Sequence, residues 1–219
     1  MWLIRSDLPS GAFARLDAVL DADERRRAAA LAQPDRLRFV VAHGAARVVI
    51  GGHLGAPPEQ LRWAYGRHGK PELTGAWTGV HVNLSHSGDL AAVAVSAGRA
   101  VGVDVQRHPP GTDVLAMSAR YFPDAEVAHV AGGADPAERV DRFVDLWARK
   151  EACVKAAGGK LAQGMPLAVH GRRLVRDPSG KLGGGPYRVA RVPVPAGYRA
   201  AVALCGAAAM RLTTRWWDG

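Results

Sequence analysis

The clearest pattern in the chain is an alternation. Val80, Val82 and Leu84 are separated by His81, Asn83 and Ser85, a period of two that predicts a strand. Ser87-Gly88-Asp89 turns this strand into a second over residues 90–96, and Gly98-Arg99 turns again into a third over 101–106. In the third strand Val101, Val103 and Val105 share one face, while Gly102, Asp104 and Gln106 share the other. On either side the period lengthens to that of a helix. Residues 21–54 predict two helices. Asp21 or Asp23 can cap the first, and Pro34-Asp35 opens the second, whose apolar positions run Leu37, Val40, Val41, Ala45, Val48 and Val49 up to Gly51-Gly52. A short strand is predicted at 63–66, before the turn His68-Gly69-Lys70-Pro71. After the linker His108-Pro109-Pro110-Gly111 the pattern predicts a short helix over 113–120, another from Pro123, and the strongest helix of the chain over 136–157. Short strands follow at 167–170, 172–175, 187–192 and 198–204, and the tail 207–219 carries no strong signal.

Helices followed by hairpins thus occur twice, which predicts an α+β fold of two similar α/β subdomains, residues 1–106 and 107–219.

Composition narrows the class. A chain of 219 residues with 48% hydrophobic content buries about 70% of its unfolded surface, and extensive disorder is excluded. Two cysteines, Cys153 and Cys205, exclude a disulfide-rich secreted scaffold. The apolar run at Met1 to Ile4 is broken at Arg5, too soon for a signal peptide, and no stretch approaches the roughly 18–20 apolar residues of a membrane span. A soluble protein of a reducing, cytoplasmic compartment is expected. Lys and Arg number 29 against 20 Asp and Glu, a net charge of +9 that calls for an anionic partner. The positive charge comes in clusters at Arg25-Arg26-Arg27, 36–47 and 172–176, none of them a long basic run of the nucleic-acid-tail kind.

Three groups of residues are candidates for chemistry. Asp104 emerges with Gln106 from a strand rich in valine, and a carboxylate there needs a cation or a metal as partner. Trp147, Glu151 and Lys155 are spaced i, i+4, i+8 and line one helical face. Spacing alone leaves Glu151–Lys155 as an ordinary surface pair and does not bring Asp104 to Glu151. If they meet, they suit Mg²⁺, which takes few carboxylates plus phosphate oxygens. The third group is Asn83-Leu84-Ser85-His86-Ser87-Gly88-Asp89. Adjacent Ser and His point to opposite faces of a strand, which argues against a nucleophile pair. His86 beside a turn suits a phosphate contact, and a turn stabilised by its own Ser and Asp side chains is the plainer alternative. The two cysteines lack the spacing of a zinc site and read as structural.

In order, His68-Gly69-Lys70-Pro71, Val82-Asn83-Leu84-Ser85-His86-Ser87, Gly102-Val103-Asp104-Val105 and Trp147-Ala148-Arg149-Lys150-Glu151-Ala152 with Lys155 resemble the 4′-phosphopantetheinyl transferase superfamily. The length is similar to its monomeric Sfp-type branch, and the resemblance runs from about Asp23 to Ala203. It implies a pseudo-twofold pair of subdomains with coenzyme A in the cleft between them. It also implies Mg²⁺-dependent transfer of the phosphopantetheine arm to a serine of an apo acyl or peptidyl carrier protein, with release of 3′,5′-ADP. By motif position Asp104 and Glu151 would hold Mg²⁺, with Mn²⁺ as the alternative ion. Glu151 or a metal-bound water would be the base, and Lys155 would stabilise the leaving phosphate. His86 and Ser85 would lie at a phosphate, Lys70 and Pro71 along the nucleotide, and Arg26 and Arg38 near the 3′-phosphate, with Lys150 serving the phosphates too. The family commonly has Glu where this chain has Gln106, so Gln106 would be an uncharged third ligand, direct or through water, and Mg²⁺ binding weaker. The implied partners are coenzyme A and carrier proteins, for a monomer that binds neither nucleic acid nor membrane.

Two rivals share parts of this pattern. A Mg²⁺-dependent nucleotide pyrophosphate hydrolase would use the same carboxylates with water in place of serine. A basic nucleic-acid-binding domain would account for the charge and predict a steep salt dependence, but leaves the ordered motifs unexplained.

Overall fold

A computed structural model describes residues 1–9, 11–183 and 185–219. The chain opens with β1 (Trp2–Arg5), α1 (Ala12–Ala18), α2 (Ala22–Ala29) and the long α3 (Asp35–Leu54). A small hairpin, β2 (Trp63–Tyr65) and β3 (Pro71–Leu73), carries the Gly69-Lys70 turn. Next come β4 (Val80–Ser87), β5 (Leu90–Ala97) and β6 (Val101–Arg107), then α4 (Val114–Tyr121), α5 (Asp124–Ala131), α6 (Pro136–Ala157) and the single turn α7 (Leu161–Gly164). The chain closes with β7 (Leu174–Val175), β8 (Tyr187–Val192), β9 (Tyr198–Cys205) and β10 (Arg215–Trp217).

Two four-stranded sheets form, ordered β10-β1-β5-β4 and β6-β9-β8-β7. β6, which the sequence reading assigns to the first unit, pairs antiparallel with β9 along its whole length. β10, from the second, pairs parallel with β1. Four layers result. α3 covers the outer face of the first sheet through a core containing Phe39, Val40, Val49, Val82 and Val93. Leu3, Leu90, Ala92 and Ala94 meet Val103, Val105, Ala200 and Val202 between the sheets. α6 covers the outer face of the second sheet through Leu146, Ala152, Val189 and Ala203.

The period-two pattern of β6 explains its position. Its valines face the other sheet, and Gly102, Asp104 and Gln106 face α6. Gly102 is required by the packing, because a Cβ there would lie 2.1 Å from the Ala152 carbonyl oxygen and 2.2 Å from the Ala156 nitrogen. α6 is bounded as its sequence dictates. The Asp135 side chain accepts from the Glu138 amide at 2.8 Å, Pro136 opens the helix, and Gly158 ends it in the left-handed region at φ 67°.

Two elements differ from expectation. The strand predicted at 167–170 is irregular chain, although Leu167 and Val169 are buried in alternation with exposed neighbours. Side chains serve its backbone in place of a neighbouring strand. Glu126 Oε1 accepts from the amides of Val169 and His170, and Lys150 donates to the Leu167 carbonyl. At 172–175 only the last two residues form a strand.

Candidate functional site

Asp104 and Glu151 meet at the contact of β6 with α6, where the close approach over Gly102 brings strand and helix together. Asp104 is fully buried, while Glu151 and Lys155 are partly open to solvent. Lys155 Nζ donates to Asp104 Oδ1 and lies 3.5 Å from Glu151 Oε2, so one ammonium sits between the two carboxylates. Ser85, reaching over from β4, donates to Asp104 Oδ1 at 2.8 Å and accepts from Lys155 at 2.9 Å. Gln106 Nε2 donates to Asp104 Oδ2 at 3.1 Å, which leaves the amide oxygen of Gln106 free of that bond. Trp147 Nε1 donates to Glu151 Oε1 at 2.7 Å. Burial pushes the Asp104 carboxyl up to about 6 against the pull of Lys155, and the neighbouring Glu151 adds to the rise. A cavity of about 320 Å³, lined by Met117, Phe143, Trp147 and Gln106 among others, opens beside Glu151.

His86 lies on the opposite face of β4 from Ser85, 6.3 Å from the ring of His43. Desolvation by the groups packed around the ring, then the positive surroundings of His43, Lys155 and Arg27, push its pKa down to about 4, with Asp35 pulling the other way, although the residue keeps an exposed edge. The imidazole is therefore neutral at pH 7 and offers one N–H donor. A small cavity of about 60 Å³ adjoins this region, with Arg27, His43, Tyr65, Pro71 and Leu84 in its wall.

The remaining expected residues are placed less directly. Lys70 Nζ donates to the carbonyls of Val101 at 3.1 Å and Ala156 at 2.9 Å, so its ammonium ties the hairpin turn to the start of β6 and the end of α6. Burial lowers its pKa. Arg26 pairs with Asp23 on the exposed face of α2 at 2.5 Å, and Arg38 bonds Asp89 at 2.9 Å and Asp35 at 3.1 Å. Lys150 is not brought to the site. It is fully buried on another face of α6, 2.6 Å from Glu126, bonded to the carbonyls of Met165 and Leu167, and 4.6 Å from the centre of the Phe122 ring. One residue along a helix turns the side chain by about 100°, so adjacency to Glu151 in sequence carries Lys150 away from it. Cys153 is likewise buried, and burial pushes its thiol up to about 12. Sequence reasoning did not single out Arg27 or His43. The Arg25-Arg26-Arg27 run and the α3 stripe were the available signals, and neither distinguishes which side chain turns inward.

Residues 100–202, which carry β6, α6 and the first part of β9, match the family described as the 4′-phosphopantetheinyl transferase superfamily. The 4′-phosphopantetheinyl transferase HetI of Nostoc sp. is 34% identical over 166 residues, 74% of this chain and 70% of the relative. The chain belongs to the 4′-phosphopantetheinyl transferase superfamily. A putative 4′-phosphopantetheinyl transferase of Synechocystis sp. is 29% identical over 182 residues, covering 80% of this chain and 71% of its own. The 4′-phosphopantetheinyl transferase of Bacillus subtilis is 28% identical over 179 residues, 78% and 73% of the two chains. The protein is thus a transferase of mixed α+β architecture, and the Sfp-type branch fits its length. Among the described residues no helix is long and apolar enough to cross a membrane.

The donor set can be tested against a divalent cation. Among the described residues no three His, Cys, Asp or Glu side chains form a metal-binding group. Two carboxylates with an ammonium held between them, and one amide oxygen beside them, nevertheless suit a hard cation that takes one or two carboxylates and completes its shell with phosphate and water. The residues present fit Mg²⁺.

Proposed function

We propose that this transferase moves the 4′-phosphopantetheine arm of coenzyme A onto a serine hydroxyl of an apo acyl or peptidyl carrier protein. The serine oxygen bonds to the β-phosphorus, the bond from that phosphorus to the bridging oxygen breaks, and 3′,5′-ADP leaves with the oxygen. One arrangement supports this reading above all: the buried Asp104 and the more open Glu151 share a single ammonium from Lys155.

Asp104 and Glu151 would hold Mg²⁺, with the Gln106 oxygen as a further ligand, direct or through water. Bound there, the ion would supply charge neutralisation and Lewis-acid polarisation of the pyrophosphate. Phosphoryl-type transfer depends chiefly on positioning and charge neutralisation, and the chain's own groups match that demand. Lys155, on a flexible stem, follows the charge that develops on the leaving phosphate. Glu151, steadied by Trp147, accepts the serine proton. His86, neutral at pH 7, donates one N–H to a phosphate oxygen. Arg27 beside His86 joins Arg38 as basic lining for the nucleotide, and Lys70, whose ammonium bonds two backbone carbonyls, holds the hairpin turn along it. The net charge of +9 suits coenzyme A and an acidic carrier.

The test is 3′,5′-ADP release with and without an apo carrier protein. Release that requires both the carrier and Mg²⁺ supports transfer. Equal release without the carrier supports the pyrophosphate hydrolase and overturns the transfer reading.

A further inference from the structure

The two sheets meet along β4 and β6, and backbone ladders do not join them there. Asn83 Oδ1 accepts from the Val103 amide at 2.8 Å, Ser85 Oγ from the Val105 amide at 3.2 Å, and Ser87 Oγ from the Arg107 amide at 3.1 Å. Each bond spans twenty residues, so alternate side chains of one strand meet alternate amides of the other in parallel register. β6 uses its other edge for β9, so without these acceptors the amides of 103, 105 and 107 would be orphaned, two of them in residues with no exposure. The seam also joins the two halves of the site, since His86 lies within it on β4 and Asp104 within it on β6.

We propose that Asn83 and Ser87, together with Ser85, are positioning residues of the transfer reaction: their side chains form the seam that fixes β6 against β4 and so sets Asp104 relative to His86. Ser85 also touches Asp104 and Lys155, whereas Asn83 and Ser87 bond only to the backbone of β6. A backbone ladder would hold the strands whatever their side chains. A side-chain seam is lost one bond at a time by substitution, which makes it testable. The role in transfer rests on the proposed function; the seam itself does not.

Asn83→Ala and Ser87→Ala separate the two. Amide hydrogen exchange of the folded protein is expected to speed by roughly tenfold at Val103 in the first variant and at Arg107 in the second. The amides of Gly102, Asp104 and Gln106, on the β9 side, keep their protection. A displacement of reacting groups lowers kcat more than binding. Transfer is therefore expected to lose roughly ten- to a hundredfold in kcat, with the KM for coenzyme A little changed, and Ser87→Thr, which keeps the hydroxyl, restores both readouts. Unchanged exchange at Val103 and Arg107 overturns the seam. Faster exchange with unchanged kcat overturns the positioning role and leaves the seam purely structural. A wild type that transfers nothing to any carrier overturns the proposed function and the positioning role together, while exchange still decides the seam.

Discussion

Lys155 supplies the counter-charge for Asp104: its ammonium bonds the Oδ1 of a carboxylate that has no solvent exposure. Burying a carboxylate is costly unless it is paired and hydrogen-bonded, and Asp104 gains Ser85, Gln106 and Lys155 as partners. The same ammonium lies 3.5 Å from Glu151.

This pairing predicts a coupling that can be measured. Lys155→Met should cost about 2–4 kcal/mol of stability above pH 6, because it strands a buried charge. In an Asp104→Asn background the same substitution should cost under about 1 kcal/mol. Urea midpoints of the four proteins in EDTA give the cycle, and equal costs in both backgrounds would show the pair to be uncoupled.

The depressed pKa of His86 predicts acid sensitivity. The unfolded chain takes up a proton near pH 6.5 and the folded chain only near 4, so this contribution to stability is present above 6.5 and lost as pH falls through about 4. The charged and titratable groups around the ring are His43, Lys155, Arg27 and Asp35. Stability of the wild type should fall between pH 7 and 5 by more than that of His86→Asn. Parallel pH profiles would contradict the shift.

Two glycines should respond with opposite signs. Gly102→Ala forces α6 from β6 and should cost roughly 2–3 kcal/mol or more, with loss of transfer as Glu151 and Lys155 separate from Asp104. Gly52 lies in α3 with nothing within 4 Å of an added Cβ, so Gly52→Ala should stabilise by about 0.5–1 kcal/mol. Thermal melts check both, and a tolerated Gly102→Ala would mean that the strand–helix contact is soft.

Trp147 fixes one oxygen of Glu151 through its indole N–H. Trp147→Phe keeps the ring against Phe143 and removes only that donor. Transfer should fall roughly tenfold, the effect of one lost charge-assisted hydrogen bond, with a raised Mg²⁺ requirement and an almost unchanged melting temperature. An unaltered Mg²⁺ dependence would remove Trp147 from the account.

Much of this was legible in sequence because periodicity is local. The alternation over β4 to β6 and the helical stripe of α6 define both their elements and their inward faces. β1, α1 and β10 lacked such a signal. Trp2–Arg5 and Arg215–Trp217 are short: β1 is a strand because β5 and β10 flank it, and β10 because β1 lies beside it. The false strand at 167–170 shows the converse, since alternation reports burial and says nothing of what satisfies the backbone. The i, i+4, i+8 face of Trp147, Glu151 and Lys155 was readable, but their meeting with Asp104 depends on the bare backbone at Gly102. Lys150 stands next to Glu151 in sequence but on another face of α6, where its ammonium meets Glu126, a placement that adjacency alone does not reveal. The Asn-x-Ser-x-Ser pattern of β4 looked like a turn or a phosphate contact, since nothing local announces that β6 will lie alongside.

The most direct test of the central claim is the intact mass of an apo carrier protein after incubation with this protein, coenzyme A and Mg²⁺. The account predicts a phosphopantetheine mass gain that disappears with EDTA, with Asp104→Ala and with Glu151→Ala. No gain on any acyl or peptidyl carrier, or a gain indifferent to both carboxylates, would contradict it.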